Sequence, residues 1–370
     1  MKVPMLDLVA QHQSIREEVL RAVASVVDRQ AFIMGAEVPA LEEAVARASA
    51  TRFAVGCASG TDALLLPLRA LGLRPGDEVI TTPFTFFATA GAVHNAGGRP
   101  VFVDIEADSF NIDPAAIEAA ITPRTRAIIP VHLFGQMAAL ERILPIARKH
   151  NLAVIEDAAQ SIGARRKVDG RWAMSGELGT CGTLSFFPSK NLGGWGDGGM
   201  IVTQDEKVAA RLRTERLHGG TKQYYHDDVG LNSRLDTLQA AVLLAKLPHL
   251  AAWSEARRRN AARYTAAFQG SAVRPPVTDA ANEHIYNQYT IRAPKRDALQ
   301  AHLKESGIGS AIYYPLPLHL QPCFSYLGYK PGSMPVSEKA AGEVLSLPVY
   351  PELTAVQQDS VIDTVNRFYA

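Results

Sequence analysis

Only three cysteines, Cys57, Cys181 and Cys323, stand in the 370-residue chain, and no two form a CxxC pair. An odd number of widely separated thiols excludes a disulfide framework and gives no indication of a zinc site, so buried, inert thiols are expected. Long apolar runs are missing as well. Stretches such as Ala127 to Val131 fall far short of the roughly 20 residues that a membrane helix needs. Charge of one sign is in no surplus, because 38 Lys and Arg nearly cancel 37 Asp and Glu. A protein that neutralises many phosphates usually carries a basic excess, so nucleic acid is not the expected partner. The opening MKVPMLDLVAQHQ breaks into Asp7, Gln11 and Gln13 before an apolar stretch reaches signal-peptide length, and a cytoplasmic location is expected. No internal repeat or low-complexity tract is present.

What is there is an alternation. Hydrophobic residues at 47% against 20% charged fit a globular chain, and the length suggests two domains. Ile15, Val19, Ala22, Val23 and Val26 recur at helical spacing and predict an amphipathic opening helix. Short apolar strands then follow at Phe53 to Ala58, Glu78 to Thr82, Pro100 to Ile105, Ala127 to Leu133 and Leu152 to Asp157. Helical segments beginning near Thr61, Phe87, Asp113 and Met137 separate them, which predicts an α/β fold with a mostly parallel sheet flanked by helices. Ligands in such sheets gather at the carboxyl ends of the strands. Past Asp157 the segments LSFF and MIVT are joined by a glycine turn too short for a helix and read as a hairpin. A helical stretch from Leu235 to about Phe268 leads into a smaller α+β unit, dividing the chain into a large domain over 1–245 and a C-terminal domain over 246–370.

The run GWGDGG, Gly194 to Gly199, matches GxGxxG, but a dinucleotide site needs a helix after it and here a strand follows. Its glycines are expected to let the chain turn sharply beside something bulky. Just ahead, SFFPSK puts Lys190 at the end of a buried strand. Taken alone, that lysine reads as a solvated loop residue, and Asp157 at another strand end as a helix cap. Together they suggest the site of an aldehyde cofactor such as pyridoxal phosphate, which needs an amine, a carboxylate for its ring nitrogen and donors for its phosphate. Gly60 and Thr61, between a strand and a helix, can supply those donors. Phe86 offers a flat surface for a ring.

The segments FIMGAEVPALEE, SGTDAL, GDEVITTPFTFFAT, PVHLFGQ, VIEDAAQSIGA, SFFPSKNLGGWGDGGMIVT, GLNSRLDTLQAA and LSLPVYPEL occur in that order, and with them the chain resembles nucleotide-sugar aminotransferases of the DegT/DnrJ/StrS type, within fold type I of the pyridoxal-phosphate enzymes. The resemblance implies that Lys190 forms the Schiff base and carries the proton transfers, that Asp157 pairs with the pyridinium nitrogen and that Gln160 bonds the phenolic oxygen. It further implies stacking by Phe86 and phosphate binding by Gly60, Thr61 and Ser185. Asn232 would reach the phosphate of the neighbouring subunit, which implies a homodimer with shared active sites. Arg234 would meet the substrate's diphosphate, and Tyr313 and Tyr314 the nucleotide sugar. Two departures stand out: some relatives have histidine where this chain has Tyr313, and many have histidine in place of Asn287. Glutamate would donate the amino group and leave as 2-oxoglutarate, and a 3-keto sugar nucleotide would receive it, with a 4-keto sugar the alternative. Related dehydratases carry histidine in place of Lys190, whereas a non-catalytic regulatory protein of the same fold stays open at this point.

Overall fold

The computed structural model describes residues 2–370. The opening helix starts earlier than the apolar spacing predicts. It is α1, Leu8–Arg29, capped by Asp7, whose Oδ1 accepts the Ala10 amide at 2.9 Å. A second helix, α2 (Glu37–Ala48), precedes the sheet.

Seven strands form that sheet: β1 (Phe53–Cys57), β2 (Glu78–Thr81), β3 (Arg99–Phe102), β4 (Thr125–Ile128), β5 (Ala153–Asp157), β8 (Cys181–Ser185) and β9 (Gly199–Thr203). Their order is β1-β9-β8-β5-β4-β2-β3. From β8 to β3 every neighbouring pair is parallel, while β9 runs antiparallel to both β8 and β1, so the expected hairpin turns the sheet from parallel to mixed. Strands β2 and β9 are buried along their whole length, because helices cover both faces. Those helices are α3 (Gly60–Ala70), α4 (Ala88–Asn95), the single turn α5 (Pro114–Ile117), α6 (Leu140–Lys149) and α7 (Glu206–Glu215).

Between β5 and β8 the chain forms a hairpin that strand periodicity alone does not announce, β6 (Arg165–Val168) with β7 (Arg171–Met174). Its turn is Asp169-Gly170 with φ of 50° and 80°, the left-handed pair that a two-residue hairpin loop demands. The Asp-Gly dipeptide is the signal that could have found it. A small ribbon, β10 (Gly220–Lys222) with β11 (Tyr225–His226), projects after α7.

Helices α8 (Thr237–Lys246) and α9 (Leu250–Ala267), separated by a tight turn at 247–249, lead into the C-terminal part. There β12 (Asn282–Glu283) joins the β6–β7 hairpin, and β13 (Tyr289–Arg292) pairs antiparallel with β14 (Val344–Leu347) among α10 (Arg296–Glu305), α11 (Pro335–Glu343) and α12 (Ala355–Tyr369). Tyr264, Phe268, Tyr289, Leu299, Leu345 and Val361 form an apolar cluster of their own here, and Val3 from the start of the chain packs into it and bridges Ile308. No helix among the described residues is long and apolar enough to cross a membrane.

Candidate active site

A cavity of about 630 Å³ opens where the loops after β1, β2, β4, β5 and β8 converge, the carboxyl-end location expected for a parallel sheet. Gly60, Thr61, Phe86, Asp157, Gln160, Ser185, Lys190, Tyr313 and Tyr314 all line it. Nine residues singled out across some 250 positions of chain thus meet in one space.

At one end lies the start of α3. Ser59 caps it by accepting the Asp62 amide at 3.1 Å, which leaves the first amides of an 11-residue helix aimed outward with the exposed Thr61 beside them. Such a helix start can hold an anion. The surroundings are close-fitting: a Cβ on Gly60 would lie 2.6 Å from the Ser185 Cβ, and one on Gly199 would lie 2.2 Å from the Ser59 carbonyl oxygen. The glycine run therefore acts differently from the expectation. None of its glycines adopts positive φ, and what they supply is the absence of a side chain where backbones touch.

Asp157 ends β5. Thr89 Oγ1 donates to its Oδ2 at 2.8 Å and the Ala159 amide to its Oδ1 at 3.2 Å. Burial nevertheless raises its pKa, and these two donors and the Lys190 charge only partly offset that. His132 sits next to it with a fixed tautomer: the Ala138 amide donates to Nδ1 at 3.1 Å, so the proton is on Nε2, which donates to the buried Glu156 at 2.8 Å. Gln160 is oriented likewise. Its Oε1 accepts the Phe134 amide at 2.7 Å, so only the NH₂ faces the cavity, 3.3 Å from the Tyr314 hydroxyl. Phe86, 59% exposed, stands at the mouth with its ring 6.4 Å from that of Tyr314.

Lys190 is not at the end of a strand. The strand β8 stops at Ser185 because Pro188 has no N–H for a ladder, and Lys190 lies beyond it on a turn in which its amide donates to the Phe187 carbonyl at 2.9 Å. Burial lowers its pKa to about 8, against the opposing pull of Asp157. About a tenth of such an amine is neutral at pH 7, compared with roughly one part in three thousand of an ordinary lysine. Pyridoxal phosphate added to the protein is accordingly expected to react with Lys190 about tenfold faster for each pH unit up to about 8 and to level off above it. Borohydride trapping across a pH series measures this, and a rate still climbing past pH 10 would mean an unperturbed lysine.

Asn232 and Arg234 are not brought into the cavity. Asn232 is exposed and bridges Leu217, and Arg234 is half-buried. Conversely, Ser59, Thr85, Thr89, His132, Ser189, Asp197 and Gln288 belong to the site or support it, although sequence reasoning named none of them. Thr89 and His132 lie in quoted motifs, but their hydroxyl and ring act through partners remote in sequence.

The donor set suits pyridoxal phosphate: an anion cradle that admits no Cβ at Gly60, a carboxylate, an amide donor and a low-pKa amine around one cavity. Comparison with known proteins agrees. The model of the DegT/DnrJ/EryC1/StrS aminotransferase family matches residues 13–366. A protein of Geobacillus stearothermophilus named a pleiotropic regulatory protein is 54% identical, the match covering 100% of this chain and 99% of the relative. The UDP-N-acetyl-3-dehydro-alpha-D-glucosamine 3-aminotransferase of Acidithiobacillus ferrooxidans is 47% identical over 99% of this chain and 97% of its own. Among solved structures, S. venezuelae DesV in complex with a ketimine intermediate superposes with a TM-score of 0.96 at 42% identity, covering 100% of this chain and 98% of that one. NtdA from Bacillus subtilis with bound cofactor PMP gives a TM-score of 0.88 at 33% identity, covering 98% and 84%.

Proposed function

From the membership of this chain in the DegT/DnrJ/EryC1/StrS aminotransferase family, we propose that it transfers an amino group from L-glutamate to a 3-keto sugar linked to UDP or dTDP, using pyridoxal phosphate. The products are 2-oxoglutarate and the amino-sugar nucleotide. The observation that carries the reading is the Lys190 amine and the Asp157 carboxylate facing one cavity beside the N-terminus of α3.

When bound, pyridoxal phosphate supplies an aldehyde that accepts the amino group and a protonated ring nitrogen that draws electrons away from the reacting carbon. The protein does the rest. The amides at the start of α3, with the Thr61 and Ser185 hydroxyls, would hold the phosphate. Asp157, oriented by the bonds from Thr89 and Ala159, would keep the proton on the ring nitrogen. The Gln160 NH₂, turned to the cavity by the Phe134 bond to its oxygen, would donate to the phenolic oxygen, and the exposed Phe86 would cover a ring face. Lys190 Nζ, poised near neutrality, moves the proton on and off the substrate carbon that carries nitrogen. Tyr313 and Tyr314 line the side on which the sugar enters.

The decisive experiment is amination of a panel of 3-keto and 4-keto sugars on thymidine, uridine and guanosine diphosphates with glutamate as donor. Turnover of the 3-keto members is expected, and turnover confined to 4-keto members would move the reading to the alternative. The name of the Geobacillus relative favours a second reading, a regulatory protein that binds the cofactor without turnover. Absence of glutamate-dependent transamination with all substrates would favour it.

The same reading makes the enzyme a cytoplasmic homodimer with shared sites, divided into 1–245 and 246–370. Asn232 and Arg234 lie outside their own chain's cavity, and Phe32, Ile33 and Met34 form a run of apolar side chains 36%, 52% and 37% exposed, both of which support it. Lys190→Ala and Asn232→Asp, each inactive alone, should complement when their subunits are exchanged, because a mixed dimer holds one intact site. A random mixture is expected to recover roughly a quarter of wild-type activity if the sites are independent. An inactive mixture despite proven exchange would place Asn232 in its own chain's site.

A further inference from the structure

The segment that follows Lys190 has no regular structure, so side chains from elsewhere set its course. Three do so. The buried Lys246, last residue of α8, donates from Nζ to the carbonyl of Gly193. Gln239, seven residues earlier and on the same helix face, accepts the Trp195 amide at 2.8 Å. It fits so closely that a Cβ on Gly194 would lie 2.7 Å from its Oε1 and one on Gly196 2.9 Å from its Nε2. From the C-terminal part, Asn287 Nδ2 donates to Asn191 Oδ1 at 2.7 Å.

An ammonium is a costly group to bury, and a methionine would fill the same space without that penalty. Lys246 is 5% exposed, near the Trp253 ring, and burial draws its pKa down to about 8 in spite of the charge of Glu352. What a charge offers in return is a strong, directional bond, and it is spent on the carbonyl three residues past Lys190. Because α8 is itself packed on α1 through Val242 and Ala245, the bond ties the loop to a rigid element.

We propose that Lys246 is a positioning residue for Lys190: its bond to the Gly193 carbonyl, with Gln239 gripping Trp195, holds the loop so that the Lys190 amine stands over the cavity. This rests on the reading of Lys190 as the amine that captures the cofactor, and the test separates the two. Cofactor-free Lys246→Met and Lys246→Arg are mixed with saturating pyridoxal phosphate, trapped with borohydride at intervals, and the label on the Lys190 peptide is counted against intact folded protein. In Lys246→Met, labelling and kcat are both expected to fall about tenfold while the KM for the keto sugar stays within about twofold, since misplacement of a reacting group acts on rate more than on binding. Arginine, which keeps the charge and its donors, should restore most of the rate.

Labelling of Lys246→Met at the wild-type rate, or a defect in KM alone, overturns the proposal. Should Lys246→Met not fold, Gln239→Leu decides by the same readouts, with slowed labelling supporting the cradle and wild-type labelling overturning it. A wild-type protein that takes no label at Lys190 would instead sink the proposed function, leaving the hydrogen-bond geometry of the cradle as a purely structural feature.

Discussion

Lys190→Ala should abolish most transamination, since loss of a positioned acid–base group alone costs roughly a hundredfold to ten-thousandfold and loss of the amine that captures the cofactor adds to it. Two functions should disappear together, because the proposed mechanism makes the same Nζ both the amine that captures the cofactor and the base that moves the proton. The phosphate cradle is built without the lysine side chain, because Gly60 packs directly on Ser185 and Ser59 caps α3, so pyridoxal phosphate should still bind without a covalent link. Equilibrium dialysis would show retained binding, and borohydride followed by peptide mapping should show no label. An added small alkylamine is expected to restore a part of the turnover, as it can take the lysine's place in the cavity. Lys190→Arg should be as inactive as alanine, because a guanidinium stays protonated and adds to no aldehyde. Label found at another lysine in the wild type would overturn the assignment.

Much of this site can be read along the chain because the sheet announces itself. Runs such as AVIED and EVIT are apolar enough to be buried strands, and a carboxylate or glycine that closes such a run falls at the end where ligands bind. Lys190 is legible for a weaker reason, its place before a glycine run, and the strand expected to end at it stops at Ser185. Thr89 and Lys246 are not legible at all. The hydroxyl of Thr89 serves a carboxylate 68 residues away, and Lys246 serves a carbonyl 53 residues away, so their roles exist only once the fold has brought the partners together. Asn232 shows the opposite limit: a motif names it, but the fold of this chain leaves it outside the cavity.

Asp157→Asn should separate stability, cofactor capture and turnover by sign. Both carboxylate oxygens already accept bonds, Oδ1 from the Ala159 amide and Oδ2 from Thr89. The amide can keep this geometry only by leaving its oxygen on Ala159 and presenting NH₂ to Thr89. Thr89 can then reverse its hydroxyl and donate to Thr85, 3.0 Å away, so the fold is retained. Stability should hold or rise at neutral pH. Burial gives the native carboxyl a raised pKa, so the folded chain holds this proton more tightly than the unfolded one, and stability falls as pH climbs from the unfolded carboxyl value toward the folded one. The asparagine variant has no such loss, and its cofactor-free melting temperature should equal or exceed that of the wild type above that range. Capture should change as well. Asp157 raises the pKa of Lys190, and without it the amine becomes neutral at lower pH, so labelling by pyridoxal phosphate at pH 6 should be faster than in the wild type. Turnover should move the other way, down by about a hundredfold to a thousandfold, or about 2.7–4 kcal/mol of barrier, because an amide cannot keep the ring nitrogen protonated. Calorimetry, timed labelling and steady-state kinetics on one preparation read the three effects. Slower labelling together with lost turnover would mean a disordered site, and near-normal turnover would mean that another residue holds the ring nitrogen.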